Sequence, residues 1–471
     1  MSKTEKFFKE YKNPVLIEKS YSWLHSNSSS SKESPLIAFK QMVVPFLLSG
    51  FGNLGAGVIL HYVQNWPVFI EIPHLIVLVP SILGVKGNVE MTLCSRLSTL
   101  ANKKQLHDKI RRKSIITGNM ALVQFQASLI GIIAPLVVFI FEFLFTYFKK
   151  SLVSGIQEET KNLTWNKAFI ILGSCLITTN MANIFLGSLL CLLIVLCKVR
   201  FNINPDNIAT PIAASAGDLI TMGLMAIFSS FIFDSFKKSM YFLSIFISSL
   251  LLLLTPCWGF IAWKNEHTNT AFFTGLIPII IAMIIQNVSG AVMERSIARY
   301  STLSAFQPVI NGFGGDLVAV QCSRLSTNLH KTTALRKLPE SEPNICVTPW
   351  YAFFDANQMS RFALLLVFIA APSQIPFVFI ILLSQETTQV TLLLFLMYTI
   401  ACTLQVSIAL YLAYCFIQFL WKIGSDPDNF AIPIMTAVAD FLGSVFLLIA
   451  FISLAHFNDP NTLKSVNATI Y

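Results

Sequence analysis

The 471-residue sequence has few charged residues: Asp, Glu, Lys and Arg make up 12% of it, whereas 54% of the residues are hydrophobic. Its mean hydropathy is +0.66, and soluble domains carry about 25% charged residues. The net charge of +9 would suggest a nucleic-acid partner in a soluble chain. Here Lys and Arg cluster in short loops, where they act as orientation signals in membrane proteins. The composition therefore predicts an all-α polytopic membrane protein with lipid neighbours and no nucleic-acid partner.

Cysteine spacing argues against a disulfide or zinc framework, and the N-terminal composition argues against a cleavable signal peptide. The nine cysteines show no Cys-x-x-Cys spacing and fall mostly in apolar runs, so we expect free thiols and no disulfide or zinc framework. The first forty residues are polar and rich in Lys and Ser, so no cleavable signal peptide precedes the first apolar run. We expect residues 1–40 to form a disordered cytosolic tail.

Long apolar runs recur along the rest of the chain. A helix that crosses a bilayer needs about 20 residues, with tolerance for tilt and breaks. On this basis we predict eleven transmembrane helices, at 41–63, 72–100, 115–147, 166–197, 207–234, 240–263, 270–294, 301–328, 358–384, 389–421 and 429–455.

Two blocks of sequence occur twice. Cys94–Thr99 recurs unchanged as Cys322–Thr327, and the Pro-Asp-Asn block that begins at Asn204 recurs from Asp426 onward. A period of nearly half the chain indicates duplication of a five-helix unit. We therefore predict repeats at 41–235 and 266–456, and a linking helix at 236–265 that gives both repeats the same orientation. The chain should be a monomer with an internal pseudo-twofold axis along the membrane normal.

Basic loops predict the orientation of the chain. The densest basic cluster follows the second helix, and its counterpart in the second repeat carries Lys331, Arg336 and Lys337. Both should be cytosolic. The N-terminus is then cytosolic, and residues 457–471 are extracellular or lumenal. Two glycosylation sequons, at Asn162 and Asn467, fall on the predicted outer side. We expect the plasma membrane, with an endomembrane as the alternative.

A glycine-rich segment in the second helix of each repeat ends in a polar oxygen ligand. Gly84 and Gly87 precede Asn88, and Gly312 and Gly315 precede Asp316. Glycine at mid-span either lets helices approach closely or breaks a helix so that its carbonyls face a cavity. Simple close packing with a hydrogen-bonded amide is the alternative to a binding site, but the repetition favours a site.

The fifth helix of each repeat contains a single acid inside an apolar run, Asp218 in the first and Asp440 in the second. An acid at this depth costs about 2.5–3.5 kcal/mol on insertion scales. One interpretation is a protonated carboxyl group that is hydrogen-bonded between helices. The other is that both aspartates face the pseudo-twofold axis with Asn88 and Asp316. Such a ring of hard oxygens suits Mg²⁺, which binds through one or two carboxylates and retains waters.

Several further residues have supporting or separate roles in this prediction. Those expected to support the ligands are Gly84, Gly87, Glu90, Gly312, Gly315 and Gln321. Asp206 and Asp428 each follow a proline just before a helix, which favours a helix cap or first-turn acid. Attraction of cations to a cytosolic mouth is the alternative role for these two residues.

Together the repeated blocks resemble solute carrier family 41, the eukaryotic magnesium transporters that are similar to the membrane part of bacterial MgtE. The resemblance rests on the block from Gly84 to Thr99 and on the block from Asn204 to Thr221, and it covers about residues 40–456. It implies a path lined by the second and fifth helices of each repeat, with Mg²⁺ bound by Asp218 and Asp440. It also implies that the two repeats replace the two subunits of the bacterial homodimer.

The sequence departs from the family pattern in two ways. The second repeat reads Gly-Gly-Asp at 314–316, where the family pattern has Asn in the last position, so its ligand charge is higher. The sequence also holds no segment long enough for the cytosolic sensor domains of bacterial MgtE. We therefore do not expect magnesium gating by such domains.

Three functions remain open from the sequence. Export of a divalent cation against the membrane potential needs coupling, and the resemblance suggests exchange of Mg²⁺ for Na⁺. The membrane potential drives cation import with about 2.3 kcal/mol per charge per 100 mV, so a channel or uniporter that imports Mg²⁺ is the alternative. From a different class, a non-transporting membrane protein or an intramembrane hydrolase could use the aspartates as structural or catalytic groups.

Overall fold

The structure is a computed structural model of the whole chain, and its residues form two compact units. It describes residues 35–102, 105–106, 108–152, 165–196, 206–239, 241–339, 345–355, 358–384, 389–425 and 427–462. The units are Met1–Val43 and Val44–Tyr471, and the first is described only over residues 35–43. Residues 35–40, which were expected to belong to a disordered tail, are helical. The helix begins at a proline, whose fixed φ suits the first helical turn.

The described residues form helices and no strands. The helices are α1 Pro35–Val63, α2 Pro67–Glu71, α3 His74–Asn102, α4 Lys109–Leu152, α5 Trp165–Val195, α6 Asp206–Lys237, α7 Phe242–Lys264, α8 Asn269–Thr274, α9 Leu276–Arg299, α10 Leu303–Thr332, α11 Pro349–Phe354, α12 Gln358–Ser384, α13 Leu392–Ile423 and α14 Pro427–His456. A short 3₁₀ turn follows at Pro460–Thr462. The prediction of an all-α polytopic membrane protein is confirmed.

Nine helices in the described part of the chain are long and apolar enough to cross a membrane. The two other predicted spans correspond to α1 and α10. The apolar part of α1 is the shorter segment Leu47–Val63. Helix α10 has sufficient length, at 30 residues, but Gln307, Asn311 and Asp316 interrupt its apolar sequence. The count of eleven spans therefore stays a prediction.

Helix packing places α3, α6, α9, α10 and α14 at the centre of the described bundle. Helix α14 packs against α10, α13 and α9, and α6 packs against α5 and α3. Helix α9 also packs against α3, so it lies between the second helix of the first predicted repeat and the last helix of the second. Residues from both halves of the chain therefore meet at the centre.

Two very close helix crossings join the halves, and each depends on a glycine. A β-carbon on Gly57 of α1 would collide with the carbonyl oxygen of Ala305 in α10. A β-carbon on Gly290 of α9 would collide with the carbonyl oxygen of Val77 in α3. When the two copies of the Cys-Ser-Arg block are aligned, Ala305 falls at the position equivalent to Val77. Small residues allow such close backbone approach in membrane proteins.

Polar contacts also join helix ends that are distant in sequence. The Lys237 ammonium at the end of α6 lies 2.7 Å from a carboxylate oxygen of Glu71 at the end of α2. The Asn265 amide nitrogen, after α7, donates to the carbonyl oxygen of Ser114 near the start of α4 at 3.0 Å. Each pair joins helix ends that the predicted topology places on the same side of the membrane.

We predict that Gly290→Ala destabilises the protein by about 1–3 kcal/mol, the cost of forcing an extra methyl group into a packed core. Thermal unfolding in detergent measures this change as a lower midpoint temperature. Gly223→Ala is the matched control, since its β-carbon would meet only Ile59, at 4.0 Å. Equal midpoints for the two variants would contradict the close crossing.

Candidate cation-binding site

A cavity of about 80 Å³ lies between α1, α3, α6, α9, α10 and α14. All four residues predicted as cation ligands line this cavity: Asn88, Asp218, Asp316 and Asp440. A cavity needs about 10–15 Å³ to hold one water, so this one has room for an ion and several waters. The two halves of the chain thus contribute oxygen ligands to one shared space.

Asp440 lies where the two halves meet. Its side chain is 8% exposed, and its Oδ2 accepts a hydrogen bond from Nε2 of Gln286 in α9 at 2.8 Å. A β-carbon on Gly84 of α3 would lie 2.9 Å from the same oxygen, and one on Gly315 of α10 would lie 3.8 Å from Oδ1. The glycines therefore let α3 and α10 approach this carboxylate closely.

Asp316 and Asn88 occupy equivalent sequence positions and have different partners. Oγ of Ser49 in α1 donates to Oδ2 of Asp316 at 2.5 Å. Nδ2 of Asn88 donates to Oγ1 of Thr436 in α14 at 3.0 Å. Asn88 is 4% exposed, whereas Asp316 is partly exposed, as expected for a group that faces a cavity. Both side chains are oriented by a hydroxyl group from another helix.

Asp218 is the third acid that lines the cavity. It is partly exposed, and a β-carbon on Gly87 would lie 4.0 Å from its Oδ1. The carboxylates of Asp218, Asp316 and Asp440 interact electrostatically with one another. Like charges in one site disfavour simultaneous ionisation unless a positive charge compensates them. A cation in the cavity would provide that compensation.

Among the described residues, no group of three or more His, Cys, Asp or Glu side chains is close enough to hold a metal ion directly. The acids line a space and do not converge on one point. Mg²⁺ dehydrates reluctantly and usually keeps several waters, with one or two carboxylates as direct ligands. The arrangement therefore suits a partly hydrated ion that passes through as substrate.

The structure distinguishes between the two roles considered for the mid-span glycines. Helices α3 and α10 continue without a break through Gly84, Gly87, Gly312 and Gly315. The alternative of a broken helix with free carbonyl groups is therefore wrong. The glycines provide close approach instead, because side-chain amides from other helices fill the space beside two of them.

Those amides are functional candidates that the sequence prediction missed. A β-carbon on Gly84 would collide with the Gln286 amide, and one on Gly312 would collide with the Asn53 amide. Both amides are buried, and Nδ2 of Asn53 has no hydrogen-bond partner among the described residues. Their common signal in the sequence is a polar amide in the first apolar helix of each repeat. Ser49 and Thr436 were missed as well, because single hydroxyl groups are ordinary in apolar helices.

The remaining predicted residues lie away from the cavity wall or outside the described side chains. Gln321 is buried, and its Oε1 has no hydrogen-bond partner in the described part of the chain. Glu90 is buried and forms an ion pair with Lys86. Asp206 and Asp428 lie in the first turns of α6 and α14, but their side chains fall outside the described set. Asn162 and Asn467 lie outside the described residues.

The helical bundle defines a polytopic membrane protein, and oxygen-bearing side chains from both halves of the chain line its central cavity. A family model described as "MgtE: Divalent cation transporter" matches residues 79–228 and 307–450. The starts of the two matched segments have the same offset as the repeated Cys-Ser-Arg block, and their ends have the offset of the Pro-Asp-Asn block. No solved structure matches the chain.

Named relatives identify the subgroup. The chain is 38% identical to mouse solute carrier family 41 member 3 over 89% of its own length and 83% of the mouse protein. It is 36% identical to human solute carrier family 41 member 2 over 89% of its length and 71% of the human protein. The chain therefore belongs to the MgtE family of divalent cation transporters and, within it, to solute carrier family 41. Its function is divalent cation transport across a membrane.

We predict that Mg²⁺ raises the thermal midpoint of the purified protein and that Asp218→Asn and Asp440→Asn each remove most of this effect. A ligand at 100 times its dissociation constant stabilises a folded protein by about 2.7 kcal/mol. Asp234→Asn is the matched control, because Asp234 is an exposed residue in the same helix as Asp218. A full Mg²⁺ response in both cavity variants would contradict the assignment.

Proposed function

We propose that this chain transports Mg²⁺ across the membrane through the cavity that its two repeats share, in exchange for Na⁺. The main supporting observation is that Asp440 of α14 lies within contact distance of both glycine-rich helices, as the β-carbon distances from Gly84 and Gly315 indicate. One ion can therefore interact with both repeats at once. A two-sided site of this kind allows one repeat to move against the other around a bound ion.

The ligand chemistry favours Mg²⁺ among divalent cations. The polar groups that line the cavity are carboxylate, amide and hydroxyl groups, and two Met thioethers, Met91 and Met293, accompany them. Hard oxygen ligands suit Mg²⁺ and Ca²⁺, whereas soft transition metals select thiolate and imidazole ligands. The small cavity favours Mg²⁺, the smaller ion, which keeps several waters among its six ligands and so needs fewer protein oxygens than Ca²⁺, with six to eight oxygen ligands.

The repeat arrangement is part of this proposal. We infer that residues 41–235 and 266–456 form the two parallel repeats, that 236–265 links them, and that one chain works as an internal pseudo-dimer. The equivalent crossings at Gly57 and Gly290 support this arrangement. So do the matched helix ends, since α2 with α6 and α4 with α7 pair as the predicted topology requires. We further propose a cytosolic N-terminus, an outer C-terminus and a plasma-membrane location.

We include coupling to Na⁺ in the proposal because export of Mg²⁺ runs against the membrane potential. Moving the two charges of Mg²⁺ across a membrane potential of 100 mV changes the free energy by about 4.6 kcal/mol, at 2.3 kcal/mol per charge. Export of Mg²⁺ against that potential requires a second ion that moves down its gradient. Passive import through the same cavity needs no such ion, so a uniporter is the alternative that the flux experiment must separate.

We predict that Asp440→Asn lowers Mg²⁺ flux into proteoliposomes at least tenfold, a loss of about 1.4 kcal/mol or more in transition-state stabilisation. Removal of one charge weakens ion binding at the point where both repeats meet. A fluorescent Mg²⁺ indicator trapped inside the vesicles measures the rate, and Asp234→Asn serves as the control. Wild-type flux in Asp440→Asn would overturn the proposed path.

We predict that an inward Na⁺ gradient accelerates Mg²⁺ efflux from vesicles of the wild-type protein held at zero membrane potential. Exchange couples the two fluxes, so collapse of the Na⁺ gradient should slow efflux severalfold. Replacement of Na⁺ by a large organic cation provides the reference rate. An efflux rate that ignores Na⁺ at zero potential and changes when a membrane potential is imposed would support the uniporter instead.

A further inference from the structure

Helix α3 holds two buried charges that do not line the cavity. Nζ of Lys86 donates to Oε1 of Glu90, one helical turn away, and both side chains are 1% exposed. Charged residues within a membrane segment are costly and usually functional. Removal of one member of a buried ion pair leaves an uncompensated charge behind, so the two residues must be considered together.

The pair packs against α6 at Gly217, the residue before Asp218. A β-carbon on Gly217 would lie 2.7 Å from Oε2 of Glu90, and that oxygen has no hydrogen-bond partner among the described residues. The Lys86 ammonium interacts electrostatically with the Asp218 carboxylate. The ion pair therefore acts on the first-repeat aspartate from the outer side of the cavity wall.

The second repeat has no equivalent pair. In the alignment of the two Cys-Ser-Arg blocks, the positions equivalent to Lys86 and Glu90 are Gly314 and Val318, neither of which carries a charge. A β-carbon on Gly314 would collide with the Gln405 amide, so a neutral side chain fills this space. Asp440 of the second repeat accepts a hydrogen bond from the neutral amide of Gln286. Among the described residues it has no lysine partner comparable to Lys86. The two aspartates thus occupy equivalent sequence positions with different electrostatic surroundings.

We propose that Lys86, held in place by Glu90, is a fixed positive charge that weakens cation binding beside Asp218 and directs the transported ion toward Asp440 and Asp316. This inference rests on the proposed Mg²⁺ transport through the shared cavity. A transported ion must bind tightly enough to enter the site and weakly enough to leave it. Lys86 is a positioning residue in this account, since it acts on the ion through Asp218.

The test is the Mg²⁺ concentration that gives half-maximal flux in proteoliposomes. Lys86→Met should lower this concentration about tenfold and slow the maximal rate, because a repulsive charge is lost near the ion. Glu90→Gln should raise it about tenfold, because the lysine then interacts fully with Asp218. Lys86→Arg should keep the wild-type value. Lys264→Met, at an exposed helix end, is the control for the same chemical change.

Opposite changes in the half-maximal Mg²⁺ concentration of Lys86→Met and Glu90→Gln distinguish this role from a purely structural one. If the pair only stabilises the fold, both single variants should lose expression or rate without opposite changes in the half-maximal concentration, and that result would overturn the inference. If either single variant fails to fold, the charge-neutral double variant Lys86→Met/Glu90→Gln provides the test. We expect its flux to be half-maximal at a lower Mg²⁺ concentration than that of the wild type. A concentration equal to or above the wild-type value would contradict the inference.

The same experiment separates failure of this inference from failure of the proposed function. Absence of Mg²⁺ flux in the wild-type protein would overturn the proposed transport itself. Wild-type flux that Asp440→Asn abolishes, together with unshifted Lys86 and Glu90 variants, would leave the transport proposal intact and remove only the role of the ion pair.

Discussion

Three carboxylates share one small space inside a helical bundle that is otherwise built for hydrocarbon. Asp218, Asp316 and Asp440 repel one another, and each is costly at this depth. Much of the central packing serves to hold them there: glycines bring α3 and α10 close, amide and hydroxyl groups orient two of the acids, and α9 joins the two halves. In the proposed mechanism, a divalent cation compensates the charges of this unfavourable cluster.

The order of the chain explains how one polypeptide assembles such a site. Each half supplies one glycine-rich helix and one helix with an acid in its apolar run. The first helix of each half crosses the other half at a glycine, Gly57 or Gly290. Asn88 of the first half donates a hydrogen bond to Thr436 of the second, so side chains of the cavity wall connect the halves. Relative movement of the halves must therefore change the cavity, which is the property that a transporter needs.

Much of the site could be predicted from the sequence because duplication identified it. An acid such as Asp218 is ambiguous alone, but its recurrence as Asp440 after the same Pro-Asp-Asn block marks both residues. The partners Asn53 and Gln286 could not be found in the same way, since an amide in an apolar helix acquires a role only when another helix crosses it. Helix α10 is predicted as a span at 301–328, but Gln307, Asn311 and Asp316 line the cavity and lower its hydropathy. An apolar window alone therefore does not identify it as a span.

The central claim is that both repeats bind one cation together. Titration calorimetry of the purified protein with Mg²⁺ tests this most directly, because it yields the number of ions bound per chain. We expect one cavity ion per chain, whose binding is lost on Asp440→Asn and weakened on Asp218→Asn. Two independent ions per chain, each removed by only one of the two substitutions, would contradict it.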